Sequence, residues 1–307
     1  MRMRTQNGFI PSPYENPETF LKVAEVATKY LPRAVRHDLS LLHRNMLEEN
    51  FVLFKGLPQD DNLPDTPGEI LAKTTFVSEF CLSVFAKQLG GEPFNYIQEE
   101  KGVLFRNVRP TRVNEDQQTS DGSRYLLEWH TEQAFHPFNP DYLMLYCLRG
   151  DRTKQAQTIL ASLNKILPRL TSKTVEELSK PQYKTGIDVS FGNRDKTQMS
   201  EILIPVLGGS KESPTLTYDL DLMKAPTDAA AGALEEFRRV AESVRASISL
   251  ESGDLVIFNN KKAIHGRTAF PAFYDGKDRW LQRVYLSTNN DFAQSVCKTG
   301  RVITTQF

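Results

Sequence analysis

Apolar positions recur every three or four residues in the first third of the chain, and beyond it fall into short alternating or unbroken runs. After a proline-rich arm, Asn16-Pro17-Glu18 sets a capping side chain before proline at the first helical position, and Phe20, Ala24, Val26 and Leu31 give the helix that follows one apolar face. Asp38 opens a second helix carrying Leu39, Leu42, Met46 and Leu47. The run Phe51 to Phe54, closed by Gly56 and Pro58, predicts a buried strand. Residues 59–67 have the composition of a loop. Gly68 to Leu89 predicts one long helix with Ile70, Leu71, Phe76, Phe80, Val84 and Phe85 inward, ended by Gly90-Gly91.

Strand patterns dominate the remainder. VLFRNV at 103–108, Tyr142 to Leu148, Thr158 to Leu163, Tyr183 to Val189, Ile202 to Leu207, Thr215 to Leu220, Gly253 to Phe258, Ala263 to Phe270 and Trp280 to Ser287 are short runs dense in strand formers. Helical stretches interrupt them at Asn164 to Leu170, at Lys173 to Lys180, and after the cap Thr227-Asp228, where Leu234, Phe237, Val240, Val244 and Ile248 form an apolar stripe. Many short strands without a βαβ rhythm predict an antiparallel sandwich or barrel, mainly β with flanking helices. We read residues 1–307 as a single domain: N-terminal helices over about 16–90, a β core over about 94–290 and a helical insert over about 227–249. The polar segment Arg109 to Arg124 is long enough to serve as a lid on whatever the strands hold.

Charge narrows the partners. Lysine and arginine total 38, as do aspartate and glutamate, so no net field favours nucleic acid or an anionic membrane, and a small zwitterionic substrate fits better. Three widely spaced cysteines, Cys81, Cys147 and Cys297, exclude a disulfide framework and a cysteine-rich zinc site, and point to a reducing cytoplasm. No apolar h-region follows the early arginines, and no run approaches the ~18–20 apolar residues of a membrane span. Nothing in the pattern specifies an oligomeric state.

The chemistry gathers around His130-Thr131-Glu132. Alternate residues of an extended strand face the same way, so an imidazole and a carboxylate would point at one locus. Of the five histidines, His37 and His43 lie in or beside an N-terminal helix and His136 reads as a packing residue, which leaves His265, after a buried strand and a polar turn, as the third ligand. Two histidines and one carboxylate on one face of Fe(II) leave positions open for other ligands. Arg279 and Arg283, four apart in DRWLQR, share a strand face, and each guanidinium can grip a carboxylate bidentately. Asp219 and Asp221 share a face of their expected strand and bring negative charge to the pocket, although one of them could instead cap the turn before Met223. A zinc hydrolase could use the same three ligands, but there is no HExxH spacing and the arginine pair has no role in it. A 2-oxoglutarate-binding protein without turnover is the non-enzymatic alternative.

Three segments, QTSDGSRYLLEWHTEQAFHPFNPDYLMLYCLRGD, TYDLDLM and AIHGRTAFPAFYDGKDRWLQRVYL, together resemble the clavaminate synthase-like iron(II)/2-oxoglutarate oxygenases, in particular the branch that hydroxylates free arginine, asparagine or lysine. The resemblance implies a double-stranded β-helix, or jelly-roll, core, with Fe(II), 2-oxoglutarate and dioxygen as co-reactants. It implies that His130, Glu132 and His265 ligate iron, that Arg279 holds the distal carboxylate of 2-oxoglutarate with help from the Thr158 hydroxyl, and that Arg283 faces the substrate carboxylate. Glu132, in place of the aspartate common in the superfamily, can also lean towards a substrate amine. Asp219 and Asp221 would meet a basic side chain, while Gln98, Glu99 and Ser120 lie where a lid would touch substrate. The expected reaction hydroxylates an aliphatic carbon of a free L-amino acid, lysine or arginine first, with asparagine, glutamine or a carrier-bound amino acid as alternatives.

Overall fold

The computed structural model describes residues 4–5, 8–9, 11–67, 73–192, 198–289, 291–292, 295, 298 and 300–305. After the short paired strands Arg4–Thr5 and Gly8–Phe9 come two helices. In α1 (Pro17–Ala27) the Asn16 side chain accepts from the Thr19 amide at 3.1 Å, the cap that the Asn-Pro-Glu sequence announces, and Phe20, Leu21 and Ala24 are buried. Val26 is 62% exposed and Met46 65% exposed, so neither joins the apolar face expected of it. The second helix, α2 (Arg33–His43), begins earlier than Asp38, directly after Pro32, whose fixed φ ends the preceding turn.

Strand β1 (Phe51–Phe54) precedes α3 (Val77–Gln88), and here the long helix expected from Gly68 is shorter. Ile70 and Leu71 fall outside the described residues, and Lys73 to Phe76 are not helical. The start is set from a distance: the Asp60 carboxylate accepts from the amides of Val77 at 2.9 Å and Ser78 at 3.2 Å, while Lys73 turns in to pair with Asp60 and Glu79.

Further strands are β2 (Glu92–Tyr96), β3 (Arg106–Val108), β4 (Leu127–His130), β5 (Tyr142–Arg149) and β6 (Gln157–Ser162). After helix α4 (Ser172–Leu178) come β7 (Leu207–Gly209), β8 (Pro214–Leu216), helix α5 (Asp228–Ser243), β9 (Ala246–Ser249), β10 (Leu255–Asn259), β11 (Ala263–Arg267), β12 (Trp280–Ser287) and β13 (Val302–Ile303). A seven-stranded sheet runs β13-β2-β12-β5-β10-β1, with β3 also on β12, and a four-stranded sheet runs β9-β6-β11-β4.

Alternation along the strands builds the layers. From β5, Leu143, Leu145 and Cys147 point inward to meet Leu160 of the smaller sheet, while Tyr142, Met144 and Tyr146 point outward against Phe20, Leu39 and Phe85 of the N-terminal helices. The outer face of the smaller sheet, with Ile159, Ala161 and Ile264, packs on Leu178 of α4 and Phe237 of α5. This is the expected jelly roll, mainly β with flanking helices.

Three expected elements differ. Tyr183 to Val189 keeps only Lys184–Thr185 as strand, the run at 202–207 becomes strand only from Leu207 with Ile204 in a lone bridge to Tyr183, and the strand expected from Thr215 to Leu220 runs from Pro214 and stops at Leu216. Helix α5 ends at Ser243, because Ile248 belongs to β9 opposite Thr158 of β6. Among the described residues, no helix is long and apolar enough to cross a membrane.

Candidate active site

His130 and His265 are direct cross-strand partners on β4 and β11, which places their rings on one face with centroids 4.1 Å apart. Strand β4 ends at His130, yet the chain turns so that the Glu132 carboxylate faces both rings: Oε2 lies 3.9 Å from His130 Nε2 and 3.2 Å from His265 Nε2. The three ligand atoms lie within 4.8 Å of one another. His130 Nδ1 donates to the Glu128 carbonyl at 2.8 Å, which keeps its Nε2 lone pair turned to the cluster. Glu132 is held by its backbone, since the Asn260 side chain accepts from its amide at 2.7 Å and donates to its carbonyl at 3.2 Å.

Charge around Glu132 is dense. Its Oε1 accepts from Arg283 Nη1 at 2.9 Å and from the Tyr285 hydroxyl, and Arg283 Nη2 pairs with Glu99. Glu99 also accepts from Gln133 at 2.8 Å and lies 3.1 Å from the Tyr285 hydroxyl. Burial pushes the Glu132 carboxyl upward, but Arg283 and the two histidines outweigh it and hold it far below the usual carboxylate range. At Glu99 burial prevails over Arg283 and the pKa rises. Burial, with His130 beside it, pulls the His265 imidazole down to about 4.

The other predicted residues meet in the same cavity, which His130, Glu132 and His265 line together with Glu99, Ser120, Thr158, Asp219, Asp221, Arg279 and Arg283. Arg279 is buried, and burial lowers its guanidinium. Asp219 and Asp221 reach the cavity from a turn, not from a shared strand face as the alternation suggested. The segment after β8 leaves its own hairpin to run beside β4, where Thr131 donates to the Tyr218 carbonyl at 2.7 Å and Asp219 bridges His130. Asp219 Oδ1 then accepts from the Leu222 amide at 2.8 Å, the turn-capping role left open by the sequence. Burial raises the Asp219 carboxyl against the pull of His130. Gln98 is also corrected: its amide donates to Thr305 and it does not line the cavity.

The comparisons fit this geometry. Residues 26–285 match the taurine catabolism dioxygenase TauD, TfdA family. The chain belongs to that family. It is 32% identical over 295 residues to L-lysine 3-hydroxylase of Catenulispora acidiphila, spanning 94% of this chain and 81% of that one. The crystal structure of asparagine oxygenase with Fe(II), 2S,3S-3-hydroxyasparagine and succinate has a TM-score of 0.87 at 32% identity, covering 94% of this chain and 90% of that one. The iron oxygenase OrfP with Fe, succinate and (3S)-hydroxy-L-Arg has a TM-score of 0.80 at 28% identity, covering 92% and 89%. OrfP has also been solved with Fe and alpha-ketoglutaric acid.

The donor set of this TauD/TfdA member fits a divalent iron: two imidazole nitrogens and one carboxylate oxygen converge from one side, and the fourth wall is cavity. Sequence reasoning missed Tyr285, Arg106, Asn260, Glu128 and Asp188. Tyr285 was within reach, because it stands two residues after Arg283 on one strand face, and Arg106 was a charge inside an apolar strand run. Glu128 precedes His130 by the same two-residue step. Asn260 carried no local signal, since its partner Glu132 lies 128 positions away.

Proposed function

We propose that this protein is an iron(II)- and 2-oxoglutarate-dependent hydroxylase of a free basic L-amino acid, lysine or arginine. The observation that carries the substrate class is the charge layout of the cavity. Asp219 senses the charges of Asp188 and Asp221, Glu128 senses that of Asp221, and all four line the cavity. An ammonium or guanidinium on the substrate side chain adds positive charge to this acidic lining, whereas a neutral amide adds none.

In this reading His130, Glu132 and His265 hold the metal, Arg279 with Thr158 holds the distal carboxylate of 2-oxoglutarate, and Arg283 with Ser120 holds the substrate α-carboxylate. Glu99 and the second oxygen of Glu132 receive the α-ammonium, so an incoming zwitterion exchanges the Arg283 pairings for equivalent ones without a loss of charge balance. When bound, iron and 2-oxoglutarate supply the oxidising power that puts one atom of dioxygen into a C–H bond, with release of carbon dioxide and succinate. The protein residues fix which carbon faces the metal and exclude water around it. Free thiols at Cys81 and Cys147 suit a cytoplasmic setting.

The likeness to asparagine oxygenase favours a second reading, hydroxylation of asparagine or glutamine. Incubation with Fe(II), ascorbate, 2-oxoglutarate and each of the twenty amino acids separates the two. Succinate release with lysine or arginine supports the basic reading; release with asparagine or glutamine alone overturns it.

A further inference from the structure

Arg106 stands inside the cavity with no part in the scheme above. It occupies β3 directly opposite Arg283 of β12, so two buried guanidiniums lie side by side on adjacent antiparallel strands. Arg283 is matched by Glu99 and Glu132, and Arg106 by Asp121 at 3.0 Å. The second amine of Arg106 does something different: Nη1 donates to Ser120 Oγ at 2.6 Å. Arg106 and Ser120 both line the cavity.

The chemistry of that contact is one-sided. A guanidinium can only donate, so the serine oxygen accepts from Arg106 with one of its lone pairs and its own proton is left for another group. Ser120 is thereby presented as a donor, polarised by a permanent charge. A carboxylate is the acceptor that suits a polarised hydroxyl beside a guanidinium.

We propose that Arg106 is a positioning residue for amino-acid recognition: through Ser120 it creates a hydroxyl donor aimed at the substrate α-carboxylate next to Arg283. The proposal rests on the reading of the Arg283 end as the carboxylate site. It adds that the discrimination between a carboxylate and a neutral group at that end depends on Arg106. The loop that carries Ser120 has independent anchors: Arg267 Nη1 donates to the Gly122 carbonyl at 2.7 Å, and the Phe270 amide donates to the Ser123 carbonyl at 2.9 Å. Removing Arg106 therefore leaves the loop tied on its far side.

The test compares the amino acid that the wild-type protein hydroxylates with its primary amide, through kcat/KM for succinate release. Wild type is expected to favour the acid strongly; equal use of both overturns the underlying carboxylate-end reading. Arg106→Gln is expected to raise KM for the amino acid about 10- to 100-fold, the effect of losing a hydrogen bond to a charged group, and to shrink the acid-to-amide ratio by the same factor. KM for 2-oxoglutarate is expected to move less than about threefold, because Arg279 and Thr158 are untouched. A folded Arg106→Gln that keeps the wild-type ratio, however slow, has lost only structure and overturns the proposal.

Arg106→Lys provides the measurement if the glutamine variant does not fold. It keeps a positive charge for Asp121, yet a single ammonium cannot reproduce the fork that serves Asp121 and Ser120 together. The ratio is expected to fall there too, and its preservation overturns the proposal. Ser120→Ala is expected to give the same ratio as Arg106→Gln, with no further loss in the double variant; additive losses would mean that the two residues act separately.

Discussion

A candidate metal ligand is placed by what holds its backbone as much as by its own side chain, and Glu132 shows this at the scale of one residue. His130 and His265 were legible in the sequence because a His-x-Glu step and a lone later histidine carry their own signal, and sheet register brings them together. Asn260 was not, since nothing local ties FNNKK to a glutamate 128 positions earlier. Yet its side chain satisfies both the amide and the carbonyl of Glu132 and also donates to the Pro140 carbonyl at 3.0 Å. Asn260→Ala leaves those groups without partners, and the carboxylate loses its fixed approach. We expect metal affinity to fall about 10- to 100-fold, as when other supporting partners of ligands are removed. An anaerobic Fe(II) titration of the 2-oxoglutarate-dependent absorbance band measures it, and an unchanged midpoint would show that Glu132 is placed by other means. On the proposed ligand set His265→Ala removes a ligand outright, and the same titration is expected to show no band.

At the scale of elements, the strands facing each other across the core were legible because burial imposes a period of two or an unbroken apolar run. The helix α3 was not, because its start depends on a partner outside the segment. Asp60 caps it from a loop and shares Lys73 with Glu79, and Glu79 Oε1 in turn accepts from Gln282 at 2.8 Å on the strand that carries Arg283. The cluster ties the helical layer to the back of β12. Lys73 and Asp60 side chains are each 1% exposed, and Asp60→Asn removes one of the two buried carboxylates on Lys73, leaving Glu79, and weakens the cap on the Val77 and Ser78 amides, so it is expected to cost about 1–3 kcal/mol by urea denaturation. The pH dependence follows from the same pair. Burial raises the Asp60 carboxyl, but Lys73 and its hydrogen bonds outweigh burial and the folded-state pKa is depressed. Its contribution is therefore complete above the ordinary carboxylate range and is lost as pH falls below about 4. Wild type should lose more stability than Asp60→Asn between pH 7 and pH 3; equal losses would remove Asp60 from the acid response.

For the molecule as a whole, equal numbers of acidic and basic residues conceal a cavity in which the charges are sorted. Like charges neighbour one another along its lining: Arg267 senses Arg279 and pairs in register with Thr158, and Asp219 senses Asp188 and Asp221. Composition could not show this sorting, because it arises from two sheets and a turn meeting in space. On the site assignment proposed above, the two small molecules of the reaction are recognised by separate charges. Arg279 is buried, and burial is the largest influence on its guanidinium. A dicarboxylate that reaches it gains a desolvated partner, and truncation of such a partner typically costs about 2–5 kcal/mol, or about 30- to several-thousand-fold in affinity. Arg279→Ala is expected to raise KM for 2-oxoglutarate by that factor while KM for the amino acid changes by less than about threefold, because the Arg283 end lies on separate contacts. Steady-state kinetics with each substrate varied in turn makes the comparison. Parallel increases in both constants would mean that the cavity recognises its two ligands as one unit, and the separation of charge would then have no functional counterpart.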